Sequence, residues 1–258
     1  MVWAEHMAAL TWPFQPVVDG AGGVVPDIPL KLWEGFDGSV PILTGFCSHE
    51  GADFIPKRPP PFRAFFSTLI PGLVTEDLEA LEALYPEQGV TPAAQVKRLG
   101  EAYGHYAYIC PILHTAHAAS LKGARVYLYE FAAITSAGTW SAAHASHSTA
   151  LTRDTPPALP GLAATGQEMH TRWTEFITSP NGEVSSWPEF KTPFDGQGSG
   201  ELLVFGDGNT EGVGGGEKGT AVKTRRVTER EKDVCRFWWE RMELSQGLGE
   251  RGVVKRTW

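Results

Sequence analysis

The residues best placed to do chemistry in this sequence are a glutamate and a histidine that follow two separate apolar runs. The first run, Val40 to Leu43, ends in a polar cluster, Thr44-Gly45-Phe46-Cys47-Ser48-His49-Glu50-Gly51. A buried parallel strand has this form, and open α/β sheets carry their functional groups just beyond such strand ends. The second run, Ala124-Arg125-Val126-Tyr127-Leu128-Tyr129-Glu130-Phe131, is rich in β-branched and aromatic residues and suits a strand covered on both faces. The loop after it, Ala132 to Pro160, carries Trp140, His144 and His147. A carboxylate after one strand and an imidazole after the next make an acid–base pair. The acid fixes the imidazole tautomer and stabilises its charged form, and the imidazole takes a proton from a nucleophile. Glu50 is read as the acid, and His144 or His147 of that loop as the histidine it would orient, the plain reading of both being ordinary loop histidines.

A nucleophile for that pair is not evident. In α/β-hydrolases the chain order is nucleophile, acid, histidine, and the nucleophile sits in Gly-x-Ser-x-Gly. That signature occurs nowhere in the chain, and Ser39 is the only serine before the acid strand. Gly196-Gln197-Gly198-Ser199-Gly200 comes after the histidine with the wrong spacing, and Ser48 lacks a strand-to-helix elbow. His144 and His147 could instead hint at a metal, but no third ligand lies near them in sequence, and no metal or cofactor is expected. His49 reads as a solvated turn residue, and His114 and His117 as packing residues on a helix.

The elements that must position these groups alternate between strand and helix. Leu30 to Gly35 reads as one helical turn, and Gly51 to Ile55 as a helix start stopped by Pro56. Phe62 to Leu69 reads as a core or pocket-wall segment. Thr75 to Tyr85 reads as a helix with Thr75 at its N-cap and Leu78, Leu81 and Leu84 as its apolar stripe. Helices are also expected from Thr91-Pro92 to Gly104 and from Tyr106 to Leu121, the latter interrupted near Pro111. A further helix runs from Gly161 to Thr178, with Met169, Trp173, Phe176 and Ile177 inward. Trp187 to Phe190 forms a tight aromatic turn, Leu202 to Phe205 a short strand, and Gly206 to Thr220 a mobile glycine-rich loop. The final helix spans Thr228 to Leu244. Residues 1 to 12 read as a helix end broken at Pro13. The fold class is α/β, one domain over residues 1–258, with a mostly parallel sheet too small to stand alone.

Composition narrows the partners. The chain has 258 residues, 42% hydrophobic and 20% charged, with a formal net charge of −8. That balance argues against nucleic acid, which needs a concentrated basic face. Lys223-Thr224-Arg225-Arg226 is the one basic cluster, and it reads as a solvated helix start. No apolar run approaches a membrane span. Met1 to His6 does not resemble a signal peptide, so the chain is expected either to stay inside the cell or to begin elsewhere in nature.

Several of these segments, in this order, resemble the C-terminal part of the type B carboxylesterases, the cholinesterase-like branch of the α/β-hydrolases, and fungal members above all. Phe14 to Gly20 is similar to the family's PVxDG segment, and Thr44 to Gly51 to its GxxxxEG acid motif. Cys110-Pro111 resembles its CP helix, and Val126 to Phe131 the strand before its histidine. Trp173 to Phe176 with Trp187-Pro188 resembles its WxxF…WP segment, and Cys235 to Trp238 its CxFW helix. The resemblance implies an incomplete α/β-hydrolase sheet, a small-molecule ester as substrate, and Glu50 and His144 as catalytic acid and base. It also implies a Cys110–Cys235 disulfide, with Cys47 left unpaired. The family's His-Gly-x-acid pattern appears here as His144-Ala145-Ser146-His147. The nucleophile serine and oxyanion glycines would lie in an N-terminal half not present, so the chain is expected to be inactive alone. The alternative is an esterase-like interaction module without catalysis. The parent could be secreted.

Overall fold

A computed structural model describes residues 17–29, 31–135, 141–152, 155–156 and 158–245. The expected helix end at residues 1–12, the first three residues of the PVxDG-like segment, and Trp140 lie outside these. The strands are β1 (Ile42–Cys47), β2 (Val126–Phe131), β3 (Glu201–Asp207) and β4 (Thr220–Arg226). Among the described residues they form one sheet in the order β1-β2-β3-β4. The first three are parallel, and β4 closes the far edge antiparallel to β3.

The long connection between β1 and β2 carries a helical layer: α1 (Phe62–Leu69), α2 (Thr75–Leu84), α3 (Pro92–Gly104) and α4 (Cys110–Leu121). A short α5 (His147–Leu151) and the long α6 (Pro160–Thr178) follow β2. After β4 come α7 (Glu229–Trp239) and the single turn α8 (Met242–Ser245).

Strand alternation sorts the core into two layers. Phe46, Val126, Leu128 and Leu202 point to one face, where Phe66, Leu81, Leu113 and Trp238 meet them in one cluster. Cys47, Tyr127, Tyr129, Phe131, Leu203 and Phe205 point to the other, against Leu162, Met169 and Trp173 of α6. Both faces of β2 are therefore covered, which is why its sequence is almost unbroken in apolar and aromatic residues. In α1, Phe62, Phe65 and Phe66 share one buried face at helical spacing, and burying each ring contributes roughly 2–3 kcal/mol. Cys110 and Cys235 are joined in a disulfide that ties α4 to α7.

The structure corrects several local expectations. The helix of residues 75–84 is capped by Val74, not Thr75, because the Val74 N–H reaches the Asp77 carboxylate at 3.1 Å. Ile177 is 75% exposed, whereas Met169, Trp173 and Phe176 pack inward. The final helix breaks after Trp239. Lys223 to Arg226 is no helix start: it belongs to β4, whose polar face is outward and whose Val222 packs inward. Within the glycine-rich stretch, Glu211–Val213 forms a 3-10 turn, and Asn209 is fully buried and hydrogen-bonded to Glu211 and the Lys218 carbonyl.

Candidate active site

The acid turn is built where β1 runs out. The Cys47 N–H donates to Glu50 Oε1 at 2.6 Å, so the carboxylate folds back onto the strand that delivers it. The Ser48 N–H donates to the Phe131 carbonyl at 2.9 Å, continuing the β1–β2 ladder by one step. The His49 N–H then donates to Ala142 O at 2.9 Å, and His49 forms a parallel bridge with Ala143. That bridge brings the next residue of the second loop, His144, to the turn. His49 is accordingly half-buried rather than solvated, and burial lowers its pKa.

Gly51 explains itself sterically. A Cβ at this position would stand 2.0 Å from the Gly100 carbonyl oxygen and 2.6 Å from the Gly104 nitrogen. The acid turn packs backbone to backbone on the end of α3, and only glycine allows that approach.

Glu50 is 4% exposed, and its Oε2 lies 2.5 Å from His144 Nδ1. The hydrogen bond to Glu50 raises the His144 pKa; partial burial opposes it. The imidazole is 42% exposed along its side chain and rests on two rings, Tyr108 at 4.4 Å and Phe54 at 5.6 Å. Tyr108 reaches this place through a π-helical stretch, His105–Ile109. Pro111 follows at the second position of α4. Its ring cannot pack against an unaltered preceding turn, and the widened stretch sits where that turn would be. The interruption expected near Pro111 is therefore a π-bulge just before it, and it carries a ring to the site.

The second histidine has a different partner. His147 Nδ1 lies 3.4 Å from Cys47 Sγ, and burial lowers its pKa. Burial, with a smaller contribution from the Glu50 charge, pushes the Cys47 thiol up to about 12. A fully buried thiol held in that form is a poor nucleophile, so Cys47 does not substitute for a serine. His114 and His117 are buried among rings, His117 Nδ1 lying 2.7 Å from Thr192 Oγ1. Sequence reasoning did not find Tyr108 or Phe54, because an aromatic on an interrupted helix carries no local sign of what it faces.

The strand order, the parallel ladder and the pair at its carboxyl end define a portion of an α/β-hydrolase. The fold of the Aspergillus niger EstA crystal structure matches with a TM-score of 0.70 at 22% identity, covering 91% of this chain and 46% of that one. The model of the carboxylesterase family matches residues 3–198, and the chain belongs to that family. It is 31% identical over 279 residues to Secreted lipase 4 of Gibberella zeae, covering 96% of this chain and 44% of that protein. The chain thus spans less than half the length of both relatives.

Proposed function

We propose that this chain supplies the acid and the general base of a carboxylic-ester hydrolase, with Glu50 orienting His144. The observation that carries this is the 2.5 Å contact between two side chains delivered by the ends of neighbouring parallel strands. Nδ1 is committed to the carboxylate, so Nε2 is the atom that takes the proton from an attacking hydroxyl and returns it to the leaving alcohol. The hydroxyl and the donors for the oxyanion come from sequence outside these residues, since no Gly-x-Ser-x-Gly is present. Without them, almost all of the differential stabilisation of the transition state is missing. The retained acid–base geometry favours this reading over a non-catalytic interaction module.

The substrate is a small-molecule ester, as membership of the family supports. No helix among the described residues is long and apolar enough to cross a membrane. The disulfide and the relative named as a secreted lipase support an oxidising, exported setting for the full protein. Residues 1–258 act as one unit, part of a single catalytic domain. The test is p-nitrophenyl acetate hydrolysis by the isolated chain. No turnover above buffer is expected, and turnover abolished by His144→Ala would overturn the inactivity of the chain alone.

A further inference from the structure

The turn that carries Glu50 is fastened on its outer side by charged groups that the proposed chemistry does not use. The Ser48 hydroxyl donates to Glu130 Oε1 at 2.6 Å and also lies 3.2 Å from the Phe131 carbonyl. Glu130 is the one charged residue of β2. Its second oxygen, Oε2, receives Arg225 Nε at 2.5 Å, from β4 at the opposite edge of the sheet. Arg225 then grips Glu231 with both remaining nitrogens, at 2.9 and 2.7 Å. Glu231 in turn accepts the Thr228 N–H and closes the capping box that starts α7.

The four links therefore run from the first turn of α7, across β4 and β2, to the residue two before Glu50. The three ionised members are mostly shielded, with side chains 15% exposed for Glu130, 23% for Arg225 and 15% for Glu231. Burying charges in this way gains little or no stability over apolar residues of the same volume. What a short charge-assisted hydrogen bond does supply is direction. Consecutive residues hold the turn at this point. Cys47 binds Glu50 itself, Ser48 binds β2, and His49 binds the histidine loop.

We propose that Glu130 is a positioning residue for the Glu50–His144 pair, acting through the Ser48 hydroxyl, with Arg225 and Glu231 holding Glu130 in its direction. The inference rests on reading that pair as acid and base. Loosening Ser48 lets the acid turn drift, lengthens the carboxylate–imidazole contact, and removes part of what stabilises the imidazolium. The groups around His144 are Glu50 and Asp53, whose charges favour its protonation, the neighbouring imidazole of His147, and the rings of Tyr108 and Phe54.

The test follows the reaction of His144 with diethyl pyrocarbonate as a function of pH, read by fragment mass spectrometry so that His147 is resolved from it. Only the neutral imidazole reacts, so the profile reports the pKa of His144 at dilute protein concentration. Glu50→Gln tests the acid–base reading and is expected to lower that pKa. Ser48→Ala changes no charge, and Arg225→Gln removes a positive one. The field of a lost cation alone would raise the imidazole pKa, whereas loss of positioning lowers it. Both variants are expected to lower it by about half a pH unit or more, and Ser48→Thr is expected to retain the original value. An unchanged profile in Ser48→Ala, while Glu50→Gln shifts, overturns the positioning role and leaves the acid–base pair standing. No shift in Glu50→Gln removes the pair and the positioning role with it. Should Arg225→Gln fail to fold by circular dichroism, Ser48→Ala and Ser48→Thr decide alone.

Discussion

Ala145, next to the proposed base, has a backbone φ of +63°, alone in that region among the described non-glycine residues. Left-handed backbone costs an L-residue about 1 kcal/mol relative to glycine. The resembling family carries glycine here, and the conformation gives the reason: the chain must reverse sharply to leave His144 facing Glu50. Ala145→Gly is expected to stabilise the protein by up to about 1 kcal/mol, seen as a higher urea midpoint. Titration gives a second expectation. Burial pushes His105 and His114 down to about 4. Their folded values lie below the unfolded value of about 6.5, so the stability they confer is complete above that pH and lost as pH falls toward 4. Each contributes at most about 3 kcal/mol over this window. His144 has the opposite sign: its raised pKa confers stability that is complete below about 6.5 and lost as pH rises through the folded value. Two deeply buried groups outweigh one that is only partly buried, so the urea midpoint should fall between pH of about 6.5 and 4. His114→Phe should make that fall smaller; a steeper fall would contradict the assignment.

At the scale of elements, the segments legible in the sequence were those whose burial is one-sided or complete. β2 is apolar at nearly every position because helices cover both its faces, and α3 announces itself by Thr91-Pro92, with the Thr91 hydroxyl accepting the Ala94 N–H at 3.2 Å. The meeting of Glu50 and His144 was legible because each follows one of the two clearest strands. β4 was not legible. An edge strand pairs on one side only, so Lys223, Thr224 and Arg226 face solvent and mask the single inward Val222. The link from Glu130 to Arg225 was equally hidden, since its partners are 95 residues apart. The disulfide followed from family resemblance and not from spacing. It closes a loop across a separation of 125 residues, for which chain entropy gives about 4–5 kcal/mol of stabilisation. Reducing it, or Cys235→Ser, is therefore expected to lower the unfolding free energy by about 3–5 kcal/mol in urea titration. An unchanged midpoint in dithiothreitol would show that α4 and α7 hold together by packing alone.

For the whole molecule, the decisive feature is the open side of the sheet. β1 pairs with β2 on one side, and among the described residues no strand pairs with its other side. Ile42 and Ser48 donate their N–H groups toward β2. Alternation therefore turns those of Leu43, Gly45 and Cys47 outward, and the Cys47 N–H finds Glu50. Among the described residues no strand lies beside the outward Leu43 and Gly45 N–H groups, and nearby Val40 is 57% exposed. A strand edge left without a partner is a template for pairing with a second copy. The 258-residue chain is expected to self-associate on size-exclusion chromatography with light scattering, and to do so more strongly as concentration rises. Leu43→Pro removes one outward donor without touching the ladder to β2, whereas Leu43→Ala removes only the side chain. If the edge drives association, the proline variant is the more monomeric of the two. A monodisperse, cooperatively melting wild-type chain, or equal association of the two variants, would show that the open edge is not what limits its solubility.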